Sequence, residues 1–417
     1  MMRMKRGIIL LLALLCCLLS AGCGGAAGPQ APAEPEQEAA STPDPTPEPT
    51  PAPAELRFPN GKVYQGYEVN IDLSGLSGAD VRETIALLRE MPNLRYVDLG
   101  RREGLRGLSF YRISQLQRAF PDVSFFYRFD IWGKEATTLD TELDLKYVPM
   151  EDEGDLVIHA LRCMPNCRSL DMDSCGVSSE AMARIREAFP LVEVNWRVWF
   201  GKEFSVRTDA ERIIAPNHLT DDNCQDLRYC TKVRFLDIGH NPNLSDISFL
   251  TDMTDMEVCI LAIMPYRDLT PLTNLTKMEY LELCEVQEHR GKELDLAPLA
   301  GMTKLRHLNI CKLYEVKNYE FLENCKELER LWIGKLTYIP EEYIEHLKEA
   351  LPDTKINWWT QVCVTESWRE EPEGVWVPRY AQLRQQFDYN HFDQAISYWW
   401  NDPLCQGDPA KTGNKKA

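Results

Sequence analysis

The stretch Leu269–Leu283, which reads L-T-P-L-T-N-L-T-K-M-E-Y-L-E-L, decides the fold. Its apolar residues recur at about every third position up to Met278 and then alternate through Leu281 and Leu283. The first spacing is typical of a helical or 3-10 turn, and the second is typical of a β-strand. Because both periods occur within one short stretch, the sequence predicts a single coil of a repetitive structure.

Similar sequence recurs at three other places in the second half of the chain. The copies are Ile247–Leu261 (ISFLTDMTDMEVCIL), Leu296–Ile310 (LAPLAGMTKLRHLNI) and Tyr319–Ile333 (YEFLENCKELERLWI). This pattern resembles the leucine-rich repeat in its short internalin-like variety, and L-S-D-I-S-F-L from Leu244 matches that spacing closely. The resemblance implies an α/β solenoid with a curved parallel sheet on its concave face and helices or 3-10 turns on its convex face. It also implies ligand binding by surface complementarity, without catalysis.

Two longer modules with similar sequences precede these repeats. Ala119–Val123 corresponds to Ala188–Val192, and Met91–Arg95 corresponds to Met164–Arg168. The pattern predicts strands at Val69–Leu73, Leu94–Leu99, Val123–Phe129, Leu143–Leu145, Leu170–Met172 and Val192–Phe200, and helices at Val81–Arg89, Ile113–Ala119, Asp155–Arg162 and Ser179–Ala188. Gly133-Lys134 and Gly201-Lys202 follow long strands and predict β-hairpins. A third pair, Gly61-Lys62, opens the folded region. Stacked neighbours then supply the core that no single coil can bury.

The beginning of the chain has the features of a secretory signal. Arg3, Lys5 and Arg6 precede an apolar run from Gly7 to Leu19. That run is shorter than the roughly 20 residues needed to cross a bilayer, and small residues follow it. Because the signal ends on Cys23, it resembles the bacterial lipoprotein signal, which implies a diacylglyceryl group on that thiol. Ser20 departs from the leucine that the family prefers three places before the cysteine. The alternative is an ordinary secretory signal with an incidental cysteine.

The composition divides the chain into five parts. We expect a lipoprotein signal peptide at 1–22, a disordered tether rich in Pro, Ala and Glu at 23–56, and a leucine-rich repeat domain at 57–360. An aromatic C-terminal cap at 361–406 and a disordered tail at 407–417 complete the chain. The tether would reach on the order of 90 Å at about 3.1 Å per residue. The aromatic residues of 361–406 either cover the last coil, as solenoids require, or form an exposed patch that binds a partner.

Charge and motifs exclude several classes of function. The chain carries a formal net charge of −18 from 46 basic and 64 acidic residues. This balance argues against nucleic acid, whose binding depends on basic residues, and against electrostatic docking on anionic lipid. The sequence contains no serine-hydrolase, zinc-protease or phosphate-loop motif. Of 14 cysteines, eleven follow Cys23, without a C-x-x-C pair, so we expect neither a metal site nor a cofactor. Cys175 and Asn241 occupy the Asn/Cys position at which repeats bond turn backbone.

The repeat geometry places a candidate binding face on the concave side of the sheet. In L-x-x-L-x-L the x side chains between the leucines point away from the core. The candidate residues are Arg95, Tyr96, Asp98, Arg168, Asp171, Arg234, Phe235, Asp237, Tyr280, Glu282, His307 and Trp332. Arg followed by Asp recurs in the first three coils, so pairing across neighbouring strands is expected. The alternative interpretation is an ordinary solvated face.

These features predict a lipid-anchored protein on the outer face of a bacterial cytoplasmic membrane. Its partners would be an unidentified protein or peptide ligand and the membrane, through the lipid on Cys23, with no nucleic acid and a monomeric state. A solute-binding lipoprotein is an alternative, and it requires two α/β lobes around a closed pocket. A cell-wall-remodelling enzyme is a third, and it requires a catalytic cluster that the motifs do not show.

Overall fold

The computed structural model describes residues 55–102, 107–200, 204–286, 293–364, 368–371 and 374–389. The predicted signal peptide, Cys23, nearly all of the predicted tether and the predicted tail lie outside the described residues. No helix within these ranges is both long and apolar enough to cross a membrane.

Strands, α-helices and 3-10 helices alternate along the chain. The strands of the first half are β1 Leu56–Arg57, β2 Val63–Tyr64, β3 Asn70–Asp72, β4 Tyr96–Arg101, β5 Ser124–Ile131, β6 Lys134–Thr137, β7 Glu142–Asp144, β8 Ser169–Asp171, β9 Glu193–Asn195, β10 Arg197–Phe200 and β11 Phe204–Arg207. Those of the second half are β12 Arg212–Ile214, β13 Phe235–Asp237, β14 Val258–Ile260, β15 Tyr280–Glu282, β16 Leu294–Asp295, β17 His307–Asn309, β18 Tyr314–Lys317, β19 Arg330–Trp332, β20 Thr337–Tyr338 and β21 Lys355–Asn357. The α-helices are α1 Val81–Leu88, α2 Phe110–Ala119, α3 Asp155–Leu161, α4 Ser179–Ala188, α5 Glu341–Ala350 and α6 Pro378–Gln386. The 3-10 helices are Gln225–Tyr229, Ser248–Leu250, Thr270–Leu272, Ala297–Leu299 and Glu320–Asn324.

The second half of the chain forms one parallel sheet of seven strands, in the order β12-β13-β14-β15-β17-β19-β21. Its central residues lie in register and point into the core; they are Ile213, Leu236, Cys259, Leu281, Leu308, Leu331 and Ile356. Five of the six connections between these strands contain a short 3-10 helix, and the last contains α5. Pro271 lies in the first turn of one 3-10 helix, where its fixed φ is suitable. The predicted α/β leucine-rich repeat solenoid is therefore confirmed.

The two longer modules have separate sheets and share the same core. Strands β3, β4 and β5 pair in parallel, with β6 added antiparallel, and β7, β8 and β9 form a second parallel sheet. One continuous apolar cluster extends from Phe58 to Ile356. The modules are thus part of the same stack, as the repeat of their sequence predicted.

The hairpins predicted after β5 and β10 are present, and a third, which the sequence pattern did not predict, lies at Gly61-Lys62. Strands β1–β2, β5–β6 and β10–β11 pair antiparallel, although residues 201–203 lie outside the described residues. At the second hairpin Trp132 and Gly133 have φ values of 49° and 88°. Two consecutive positive φ values are typical of a type I′ turn, and this turn suits the twist of paired strands.

A buried threonine joins each long module to the chain that follows its hairpin. Thr138 accepts a hydrogen bond from the Tyr127 amide (2.9 Å), and Thr208 accepts one from the Trp196 amide (3.1 Å). The threonine amides donate back to the carbonyls of Tyr127 and Trp196. The strand predicted at 192–200 is interrupted at Trp196 and forms β9 and β10.

The side chains at the Asn/Cys position of the repeat form hydrogen bonds to turn backbone, as predicted. Asn241 is fully buried and donates to the carbonyls of Ala215 (2.8 Å) and Ile238 (2.7 Å), while its side-chain oxygen accepts from the Leu219 amide (2.8 Å). Cys175 fills the same slot in the second module and donates to the Leu145 carbonyl at 2.9 Å. Both side chains satisfy turn backbone that would otherwise be buried without partners.

Candidate binding face

The side chains of the seven-stranded sheet that point away from the main core form what we call the outer sheet face. Two residues from each strand contribute, because side chains alternate between the two sides of a sheet. They are Arg212, Ile214, Phe235, Asp237, Val258, Ile260, Tyr280, Glu282, His307, Asn309, Arg330, Trp332, Lys355 and Asn357. The middle of this face is buried, so another part of the chain covers it.

The cover is the C-terminal segment, by which we mean the described residues from 361 to 389. It contains α6 and crosses the strands from β21 back to β12. Together with the sheet it forms a second apolar core, separate from the main one. Its members include Phe235, Val258, Ile260, Tyr280 and Trp332 from the sheet and Trp368, Val377, Tyr380, Leu383, Phe387 and Tyr389 from the segment. Long-range packing therefore closes the face.

This position differs from the end cap expected for residues 361–406. At the end of the last coil, Trp358 is half-buried and Trp359 is 56 % exposed. The aromatic side chains of the segment instead pack on strands at the middle of the sheet. Phe235, Val258, Ile260 and Tyr280 supply the apolar side chains against which the segment is buried there.

A buried carboxylate, Glu282, holds the beginning of the segment. Its Oε1 accepts hydrogen bonds from Trp368 Nε1 and Arg369 Nε, both at 2.8 Å, and its Oε2 accepts one from Arg369 Nη2 at 2.5 Å. The Tyr280 hydroxyl also donates to Oε1. Burial raises the pKa of Glu282, but the Arg369 charge and these four donors outweigh it and leave the pKa below its usual value.

Aromatic rings surround the Trp368 indole on the sheet. Its centroid lies 5.3 Å from Trp332, 5.5 Å from Tyr280 and 5.6 Å from His307. These are the distances at which tilted aromatic pairs attract. Three neighbouring rings and the hydrogen bond from its N–H to Glu282 thus fix the position of the Trp368 indole.

The other end of the segment rests on the first strands of the sheet. Tyr389 donates its hydroxyl hydrogen to Asp237 Oδ2 at 2.6 Å, and its ring lies 4.6 Å from that of Phe235. Phe387 packs on Phe235 as well, at 5.2 Å between centroids. Arg212 donates to the carbonyls of Phe387 (2.5 Å) and Asp388 (2.8 Å). The end of the described segment is therefore fixed by backbone as well as side-chain contacts.

Charged pairs border the segment along its length. Arg330 pairs with Glu371 at 2.5 Å, and Arg379 of α6 pairs with Glu279. Asn309 donates to the Cys363 carbonyl at 2.7 Å. These polar contacts orient the segment, while the aromatic core supplies most of the buried area.

The twelve predicted face residues fall into two groups in the structure. Phe235, Asp237, Tyr280, Glu282, His307 and Trp332 are buried under the C-terminal segment. Arg95, Tyr96, Asp98, Arg168, Asp171 and Arg234 are exposed or half-buried. The expectation that all twelve share one accessible surface is therefore corrected, because the segment covers the first six, which form the covered part. The other six, which we call the open part, lie on or beside strands β4, β8 and β13, and β4 and β8 belong to the separate sheets of the two long modules. Ligand binding by either part stays a prediction.

The predicted pairing of Arg with Asp across strands is found in part, because Asp171 pairs with Arg207 of β11 at 2.9 Å. Arg95 and Arg168 donate to the backbone carbonyls of Leu94 and Cys167, and Arg234 pairs with Glu211 and Glu257 of the neighbouring coils at 3.0 and 2.8 Å. Asp98, Asp171 and Asp237 also accept from the amides two residues later, at 2.7, 3.0 and 3.1 Å. Asp171 and Asp237 are the last residues of β8 and β13, and Asp98 lies inside β4 at a register shift. These turn hydrogen bonds explain the recurrence of the aspartates without a ligand.

Several residues of the covered face were missed by sequence reasoning. Arg369, Trp368 and Tyr389 lie in a stretch without periodicity, so no pattern placed them on the sheet. One signal was available in the sequence. The outer positions of β13 to β15 include Phe235, Val258 and Ile260, and such an apolar row rarely faces water.

Three buried thiols lie where the segment meets the sheet. Cys284 and Cys311 follow adjacent paired strands, and Cys363 of the segment packs beside them. The Cys363 thiol and burial together raise the pKa of Cys284 well above its usual value. All ten described cysteines are buried and free, which is typical of unreactive structural thiols. The eleventh, Cys405, lies outside the described residues.

No side chains in the described part of the chain form a group of three or more that would hold a metal ion. An open cavity of about 880 Å³ lies beside α2 and α3, and its lining includes Ser114 and His159. Ser114 donates its hydroxyl hydrogen to the Tyr111 carbonyl at 2.9 Å, not to His159. This arrangement provides no activated nucleophile there.

Comparison with known proteins gives structural neighbours of the same fold. No family model and no curated protein matches the chain. Internalin C2 of Listeria monocytogenes is 16 % identical over 54 % of this chain and 74 % of its own, with a TM-score of 0.27. Internalin F of the same organism is 13 % identical over 73 % and 86 %, with a TM-score of 0.31. A leucine-rich repeat protein of Leptospira interrogans is 11 % identical over 65 % and 92 %, with a TM-score of 0.25. Scores this low carry no functional argument.

Proposed function

We propose that this protein is a lipid-anchored extracytoplasmic binding module that recognises a protein or peptide without catalysis. One observation supports the binding role most directly: the outer sheet face already holds a polypeptide segment. That contact combines aromatic packing at Trp332 with a buried ion pair at Glu282 and backbone contacts at Arg212. Aromatic and arginine anchors of this kind dominate protein interfaces.

The open part of the face is the surface we assign to a ligand in trans. Arg95 and Arg168 are exposed, and Tyr96 is half-buried. All three project from strands or strand ends held by the main core, so little conformational freedom is lost on binding. Asp98 and Asp171 belong to the same surface, but their turn hydrogen bonds make them unsuitable for substitution.

The binding proposal is tested by capture of envelope and host proteins on the full chain. Arg95→Glu combined with Arg168→Glu is expected to abolish capture of the ligand, because it reverses the charge of the open part. Arg82→Glu, on the exposed side of α1, is the matched control and is expected to leave capture unchanged. If every captured partner survives the double substitution, the open part of the face is not the binding surface.

The anchoring proposal is supported by the signal sequence, which ends on Cys23, and by the proline-rich stretch that follows. Cells fed a labelled fatty acid should incorporate it into the wild-type chain and not into Cys23→Ala. Equal labelling of the wild-type chain and Cys23→Ala would contradict a lipid anchor on Cys23. The solute-binding alternative requires two lobes around a closed pocket, whereas the described residues form stacked parallel coils.

A further inference from the structure

We propose that the covered part of the outer sheet face is a receptor site for a polypeptide that presents an aromatic residue next to an arginine. The C-terminal segment fills this site in cis through Trp368 and Arg369, and a second polypeptide with the same pair displaces it. The inference goes beyond the proposed function, which assigns a ligand to the open part, and adds a second binding site with its own ligand. Its centre is Glu282.

The carboxylate defines the arginine half of the site. Arg369 approaches Glu282 with two nitrogens, one on each oxygen, at 2.8 and 2.5 Å. Only a planar guanidinium presents two donors in this fork, so lysine cannot replace it without leaving one oxygen poorly satisfied. Both partners are almost fully buried, at 4 % and 0 % exposure. The site therefore selects arginine by geometry as well as charge.

The surrounding rings define the aromatic half. Trp332, Tyr280 and His307 enclose the Trp368 ring within 5.6 Å between centroids, and Glu282 takes the indole N–H. A smaller side chain would leave a void in a fully buried cluster. An aromatic residue directly preceding the arginine satisfies both conditions, and tryptophan satisfies the hydrogen bond too.

The segment does not satisfy every polar group that it buries. Within the part of the chain that the structure describes, the Trp332 indole N–H, the Tyr380 hydroxyl and both ring nitrogens of His307 make no hydrogen bond. His307 Nε2 lies 3.5 Å from the Glu329 carboxylate, too far for a good bond. Buried polar groups without partners cost free energy. A ligand that supplies an acceptor at Trp332 or His307 would therefore bind this face better than the segment does.

The C-terminal segment also competes with any ligand from solution for the covered part of the face. Because the segment is covalently attached, its effective concentration at the face is about millimolar for a short flexible connection. A ligand with the same affinity consequently binds the wild-type chain far more weakly than a chain whose own segment is impaired. Impairing the segment should therefore raise the measured affinity for a ligand from solution.

The experiment uses a fluorescent synthetic peptide of residues 361–389 with Cys363→Ser as the probe. The full chain carrying Trp368→Ala and Arg369→Ala is expected to bind the peptide at least tenfold more tightly than the wild-type chain. Adding Glu282→Gln to that variant should remove the gain. A control peptide with Arg369→Lys should bind at least tenfold more weakly than the probe.

Two outcomes overturn the proposal: equal peptide affinity for variant and wild type, or tight binding that Glu282→Gln does not change. If circular dichroism shows that the variant is unfolded, hydrogen exchange is measured instead on the wild-type chain with excess peptide. Displacement should then speed hydrogen exchange at residues 368–389, and unchanged exchange overturns the proposal. Loss of captured partners on charge reversal at Arg95 and Arg168 would still support the binding function, so the two failures are distinguishable.

Discussion

Replacing Glu282 by glutamine is expected to release the C-terminal segment while leaving the repeats folded. The substitution keeps the side-chain volume and removes the charge that faces Arg369. Burial opposes the charge on Arg369, and Glu282 raises the pKa of its guanidinium well above the usual value, so the arginine remains charged. Leaving a buried charge without its partner costs about 3–5 kcal/mol. Neither side chain is exposed enough for solvent to reduce that cost.

Native-state hydrogen exchange measures this release residue by residue. Within the segment, the amides of Val377, Ala381 and Phe387 are bonded to segment carbonyls. A cost of about 4 kcal/mol corresponds to roughly 10³ in the opening equilibrium, since about 1.4 kcal/mol is tenfold. We expect exchange at these amides to accelerate by 10² to 10³ (an order-of-magnitude range). Ile238 and Leu283, whose amides bond to neighbouring strands, should retain wild-type rates.

A solvent-exposed ion pair provides the control. Lys277 and Asp255 lie 2.6 Å apart with about half of each side chain exposed, and such pairs contribute about 0–1 kcal/mol. Asp255→Asn should therefore leave segment exchange nearly unchanged. An acceleration of less than tenfold in Glu282→Gln would refute the energetic role of the pair. Equal acceleration in the segment and at Ile238 would refute the separability of segment and repeats.

Three further outcomes follow from the buried groups. Burial lowers the pKa of His307 from 6.5 to about 4. Between these pH values the imidazole is protonated in the unfolded chain and neutral in the folded chain. The free energy of unfolding therefore falls by about 3 kcal/mol as the pH drops through that window. Urea unfolding should show this loss in the wild type and not in His307→Phe. Asn241→Ala leaves three backbone groups unsatisfied and should lower the free energy of unfolding by about 3 kcal/mol, whereas a loss below about 1 kcal/mol would contradict its bridging role. Iodoacetamide should leave the ten described cysteines unmodified in the native chain and label them in urea, and rapid native labelling of Cys363 would show that the segment opens readily.

The repeats could be predicted from the sequence because their determinants are local. Leu281 and Leu283 alternate with polar or aromatic residues over a few positions, and the same few positions recur in every coil. The turn chemistry at Asn241 and the hairpin at Trp132-Gly133 are equally local. A pattern that is complete within one coil can be recognised without knowing what lies beside it.

The covered face could not be predicted, because its determinants are distant in sequence. Trp368 and Glu282 are 86 residues apart, and Tyr389 and Asp237 are 152 apart. The alternation of a strand shows which side chains leave the main core, but it does not show what covers them. The identity of those side chains indicates whether the face is open or covered. Where Tyr96 and Asp98 occupy the outer positions the face is open, and where Val258 and Ile260 occupy them it is buried.

The outer sheet face binds a polypeptide, and we claim that the C-terminal segment occupies it in the native chain. Photocrosslinking from position 387 tests this most directly, because the Phe387 ring lies 5.2 Å from that of Phe235. With benzoylphenylalanine placed there, we expect crosslinks within one chain to the peptide that contains Phe235. Crosslinks to the last coil around Trp359, or crosslinks between chains, would contradict the claim.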